Sequence, residues 1–191
     1  MTTEEIFRNI YLSEGIGHHQ QTLDRLLRIR RPNSFERSHI LALQNLGAIA
    51  QIMKCPKIRP DEIIDHEGGT QVDKDQLIDY EFRDMAIQVK CMSQGFETFT
   101  LSVKHLPKLR EKIQNGQRIP EWHVELQFDP KDGHLAHIAR IETRLLVDIL
   151  DCKKAEVTSS GTRSNGSDPS LRFWVVDWYK IPKSWFDQIS F

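Results

Sequence analysis

The chain has 191 residues, 39% apolar and 28% charged, which is enough to bury a core without staples and too apolar for a disordered protein. A net charge of −1 excludes a molecule that binds nucleic acid through its overall field, so any such contact has to come from local patches. No apolar run reaches the roughly 18 residues of a membrane span, and the start, MTTEEIFRNIYLSEG, is acidic and polar rather than signal-like; a cytoplasmic protein with no membrane partner is expected.

In chain order, residues 1–32 are expected to form a helical arm that stops at Pro32, and residues 33–191 a single α/β domain. Asn33 is a plausible N-cap, and Glu36 three residues on completes a capping box. Ile40, Leu41, Leu43, Leu46, Ile49, Ile52 and Met53 then predict one long helix with a broad apolar face, ended by Pro56 and Pro60. Residues 57–76 are polar and irregular, with a Gly68-Gly69 turn. A hairpin over 77–91 and a strand over 97–103 follow. Pro107 and Gly116 mark the start and stop of a helix. Residues 121–128 alternate as a strand, Asp132-Gly133 is a tight turn, and HLAHIARI is the partner strand. TRLLVDILDCKK reads as an amphipathic helix, 158–170 as a flexible loop, and 172–181 as a closing strand. Helix, three short antiparallel strands, helix, strand is the order of a mixed sheet flanked by helices.

The stretch LIDYEFRDMAIQVKC, residues 77–91, carries the most chemistry. With Arg83-Asp84 as a two-residue turn, Phe82 faces Met85 and Asp79 faces Gln88. Side chains alternate, so one face carries Asp79, Glu81, Ala86, Gln88 and Lys90, and the other Ile78, Tyr80, Phe82, Met85, Ile87, Val89 and Cys91. Carboxylates with an amide oxygen suit a hard divalent cation, and a lysine beside them suits a phosphate. A solvent-facing sheet surface carries the same residue types in cross-strand pairs, so both readings stand at this point.

Other constellations are weaker. Cys55, Cys91 and Cys152 are odd in number and far apart, which argues against disulfides and structural zinc. The eight histidines lack metal spacing and are expected at the surface or half-buried, with His66 and Glu67 in a loop. The chain has no Walker loop, GxGxxG or GxSxG elbow. The basic patches DRLLRIRRP (24–32) and KHLPKLREK (104–112) read first as solvated helix faces. Lys104 and Arg163, the latter in the loop GTRSNGS, are the candidate nucleic-acid contacts. Trp174, Trp178, Tyr179 and Trp185 are spaced like core aromatics.

The element order and the pattern Asp79…Gln88-Val89-Lys90 resemble the PD-(D/E)XK nuclease superfamily, and the wording IQVKC is similar to its Mrr-like branch, where Gln replaces the acid before Lys. The resemblance covers roughly residues 34–128. It implies a restriction-endonuclease-like core with C-terminal β/α additions, and hydrolysis of DNA phosphodiester bonds with Mg²⁺ or Mn²⁺. Asp79, Gln88 and Lys90 would be catalytic, and Asp79, Glu81, Gln88 and Glu36 would be candidate metal ligands. The sequence departs from the pattern in having Ile78 where Pro precedes the acid, and in the uncharged Gln88. Loss of that acid also fits an inactive nuclease-like module that binds nucleic acid or a protein partner in a defence or mobile-element system. A nuclease that cuts both strands would favour a homodimer.

Overall fold

The computed structural model describes residues 16–55, 57–67, 75–92, 97–151, 158–160 and 173–191. The described chain is a mixed α/β fold whose main sheet is mostly antiparallel and flanked by helices. Three helices come first: α1 (Ile16–Leu27), α2 (Ser34–Gln44) and α3 (Leu46–Ile52). The capping box at the start of α2 is present as expected. Glu36 N–H donates to Asn33 Oδ1 at 2.9 Å, and Asn33 N–H donates to Glu36 Oε2 at 2.7 Å.

The main sheet has six strands in the order β1-β2-β3-β5-β6-β9: β1 (Ile63–Asp65), β2 (Tyr80–Phe82), β3 (Met85–Met92), β5 (Trp122–Phe128), β6 (Leu135–Glu142) and β9 (Phe186–Ser190). β1, β2 and β3 form an antiparallel meander, β3 and β5 are parallel, and β5, β6 and β9 are antiparallel. A parallel pair needs a long crossover. Here it contains β4 (Thr98–Ser102) and α4 (His105–Gln114). After β6 comes α5 (Thr143–Asp151), then β7 (Thr158–Ser160) and β8 (Phe173–Asp177), which join β4 in a second, three-stranded sheet in the order β4-β8-β7. On one side of the main sheet, Leu43, Ile49, Phe82, Val89 and Leu126 share a core with α1–α3. A second core holds Phe99, Leu101, Leu109, Ile141, Leu146 and Trp178, from β4, α4, β6, α5 and the turn after β8.

The hairpin register is the expected one: Tyr80 faces Ile87, Glu81 faces Ala86 and Phe82 faces Met85. Arg83 adopts φ 57°, the left-handed first position of a primed hairpin turn. Gly116 (φ 63°) and Gly133 (φ 74°) occupy the expected helix stop and tight turn. Cys55 and Cys91 are free thiols, and Cys152 lies outside the described residues.

Several expectations are corrected. α1 ends at Leu27, well before Pro32, and its Leu26 is buried in the first core, so this helix packs on the domain. The single long helix is two. Asn45 Nδ2 donates to Leu41 O at 2.8 Å, so its backbone N–H turns to Ala42 O and the ladder breaks there. The polar stretch 57–76 contains β1, which replaces β4 as the third strand of the meander. β4 instead crosses to the second sheet and pairs with β8. Thr158–Ser160, expected in a loop, form β7 beside β8. Trp178 is buried, but Tyr179 is exposed and Trp185 partly so.

Candidate active site

Three strands part at one place. β1 pairs with β2 only as far as Asp65–Tyr80, and β2 pairs with β3 only as far as Tyr80–Ile87, whereas β3 runs on to Met92. Asp79 sits at that fork, held through its backbone and one carboxylate oxygen. Its N–H donates to Ile87 O at 2.9 Å, its C=O accepts from His66 N–H at 2.8 Å, and its Oδ2 accepts from Val89 N–H at 2.7 Å. The carboxylate thus takes the ladder bond that a backbone carbonyl would normally make, and it is held rigidly at the mouth of the gap. Lys90, one residue along β3, places Nζ 3.8 Å from Asp79 Oδ2. Burial alone would lower the lysine's pKa, but the charges of Asp79, Glu67 and Glu125 raise it, so the ammonium is held charged.

Glu67, just past the end of β1, is the residue the sequence reading placed in a loop without a role. Its Oε2 accepts a hydrogen bond from Tyr80 Oη at 2.9 Å. Burial, and next the charge of Asp79, push its carboxyl up to about 8. Two carboxyl groups are therefore neighbours at the fork. From α2, His39 Nε2 lies 2.8 Å from Asp65 Oδ2 and ties the helix to β1. The His39 ring is 4% exposed, contrary to the expectation of surface histidines, as are His19 at 5% and His123 at 0%. Cys91 Sγ donates to Ser38 O at 3.5 Å, and burial drives its thiol well above the ordinary range, so it is inert packing.

Gln88 is 1% exposed. Its Nε2 lies 3.5 Å from Nδ1 of His105, while its Oε1 is a buried oxygen without a hydrogen-bond partner. His105 is pushed down to about 4, by burial first and by Lys90 next, so its ring is neutral beside the ammonium. Below lies a polar layer that the alternation of β5 did not reveal. His123, Glu125 and Gln127 are all buried between the sheets. Glu125 accepts from Thr100 N–H at 3.2 Å, and Thr100 Oγ1 is 3.0 and 3.1 Å from its two oxygens.

The other expected ligands are placed differently. Glu81 is paired with Arg118 at 3.0 Å and His66 at 3.0 Å; burial opposes these partners, yet they hold its carboxyl below the usual range. Glu36 is committed to the capping box, and α2 presents His39 to the fork instead. Lys104 is exposed immediately before α4, its N–H 3.4 Å from Ser102 Oγ. Arg163 lies outside the described residues. Among the described residues, no group of three or more His, Cys, Asp or Glu side chains is arranged to hold a metal ion. Among the described residues, the carboxyl groups of Asp79 and Glu67 are neighbours at the fork.

Compared with known proteins, the chain matches no family model and no curated protein.

Proposed function

We propose that this chain is a nuclease-like protein that hydrolyses DNA phosphodiester bonds with a divalent cation, and that its core is restriction-endonuclease-like. The observation that carries this reading is the Asp79–Lys90 pair at the fork of β1, β2 and β3, with Glu67 beside it. The element order supports it too: helix, antiparallel meander, helix, then a strand parallel to the last strand of the meander. β4 is an insertion between that meander and α4.

The donor set suits Mg²⁺ or Mn²⁺, because it offers only oxygen: the carboxylates of Asp79 and Glu67 and the unpartnered Oε1 of Gln88. A cation held there would polarise a phosphoryl oxygen and lower the pKa of its bound water. With its carboxyl pushed up to about 8, Glu67 would supply the second negative charge that Gln88 lacks on giving up its proton to a bound cation. Asp79 is fixed by Val89 N–H and needs no reorganisation to act as a ligand. Lys90 stays protonated and offsets the charge that builds on phosphorus as water adds and the P–O bond to the leaving oxygen breaks. Neutral His105 adds no competing positive charge beside it.

Purified protein is expected to nick supercoiled plasmid in Mg²⁺ or Mn²⁺, and Lys90→Ala and Asp79→Ala to lose at least about 100-fold in rate while staying folded. Wild-type rates in Lys90→Ala would refute the assignment. One observation favours the second reading, a nuclease-like module that binds without cutting: Gln88, in the position of the motif's acid, is uncharged and buried under His105. It predicts DNA binding with no divalent-metal requirement and no cleavage by the folded wild type.

A further inference from the structure

The turn between α1 and α2 carries a cluster of exposed arginines. Arg25, Arg28, Arg30, Arg31 and Arg37 are all exposed, and none makes an ion pair with a described residue. The acids next to them in sequence are occupied locally: Asp24 by Gln20 and Glu36 by the capping box. In a chain of net charge −1, five unpaired cations within thirteen positions form a concentrated positive field. All five are arginine and none is lysine, and a guanidinium fork matches the two oxygens of a phosphate. Leu27 and Phe35, 54% and 72% exposed, stand among them as isolated apolar side chains rather than a continuous membrane-binding face. The turn also leads directly to the fork. From Asn33 to His39, which holds Asp65, α2 rises about 9 Å, under about three base steps of one DNA strand.

We propose that this arginine turn is a phosphate-backbone binding surface for DNA, which lays the strand along α2 toward the Asp79–Lys90 fork. The choice of DNA as occupant rests on the nuclease reading above, whereas the patch itself does not.

The test is fluorescence anisotropy of the full chain with a short fluorescein-labelled DNA duplex in EDTA, over about 50 to 200 mM salt. Wild type is compared with the triple variant R28A/R30A/R31A and with R28K/R30K/R31K; thermal midpoints check the fold. The alanine triple is expected to bind at least tenfold more weakly near 0.1 M salt, with a slope of log K against log salt shallower by about 2.7, or 0.9 per lost phosphate contact. The lysine triple should recover most of the slope and only part of the affinity. Unchanged slope and affinity in the alanine triple would overturn the proposal, even if wild type cleaves DNA. Binding of phosphatidylserine vesicles but not DNA, lost in the alanine triple, would overturn it in favour of a lipid surface. Arginine-dependent binding without cleavage in Mg²⁺ or Mn²⁺ would uphold the patch and remove the catalytic reading.

Discussion

Glu67 shows how one side chain sets a pH dependence. Its carboxyl is pushed up from 4.5 to about 8, so the folded chain keeps a proton there that the unfolded chain has lost. Stability from this group is fully present below pH 4.5 and is lost as pH rises through about 8. His105 acts in the opposite direction. Pushed down from 6.5 to about 4, it favours the fold above pH 6.5 and costs stability as pH falls through 4. Between pH 6.5 and about 8 the Glu67 effect acts together with that of His39. Burial lowers the His39 pKa, but the hydrogen bond to Asp65 and the nearby carboxylates outweigh it and raise it, so His39 also contributes stability that is lost as pH rises. Without divalent cations, the wild-type melting temperature should therefore fall across that window, by about 2 kcal/mol or on the order of 5 °C from Glu67 alone. Glu67→Gln should flatten the fall, as calorimetry at the two pH values would read, and a fall of equal size in the variant would show that Glu67 is not the group responsible. Asp79, Gln88 and Lys90 were legible in the sequence because they lie on one hairpin whose register follows from a two-residue turn. Glu67 was not, because it reaches the fork only through β1, a three-residue strand too short to show a period.

At the scale of elements, the two sheets are joined by a polar contact inside the core. Glu125 on β5 has 0% exposure, and its donors come from Thr100 on β4. A buried carboxylate keeps its charge only where such donors replace water. Thr100→Val keeps the shape and the backbone donor and removes the hydroxyl, so it is expected to cost about 1–3 kcal/mol, read as a lower urea midpoint with an unchanged m-value. A change within error would mean that the Thr100 hydroxyl contributes nothing to holding the two sheets together. The strand periods of β3 and β5 were clear in the sequence, as were the hairpin turn, the capping box and the stops at Gly116 and Gly133. The partner of β4 was not, because β8 lies more than seventy residues away and alternation gives a strand's faces, never its neighbour. His123, Glu125 and Gln127 misled for a related reason. Polar residues opposite an apolar face read as solvent-facing, but here a second sheet covers them.

β9, which the sequence reading left without a role, is the last strand and the outer edge of the main sheet, paired with β6 over five residues. Edge strands are the places where sheets fray or pair wrongly, so something has to hold this one. Arg140 on β6 does so. Its Nε and a terminal nitrogen donate to Asp187 Oδ2 at 2.9 and 2.8 Å, and its guanidinium lies 4.1 Å from the centre of the Trp122 ring on β5. One buried cation thereby links three neighbouring strands, and Lys54 after α3 joins from above at 3.3 Å from the same carboxylate. Removing Asp187 leaves Arg140, whose side chain is only 7% exposed, with its stacking partner but no anion. Asp187→Ala is expected to destabilise the fold by about 1.5–3 kcal/mol. Amide hydrogen exchange should quicken first in 186–190, before the β3–β5 pairs in the middle of the sheet. The fork at Asp79 lies toward the opposite edge of the sheet, three strands from β6, so cleavage measured well below the melting temperature should be unchanged. Uniform exchange across all six strands would mean instead that β9 and the central strands unfold as one unit.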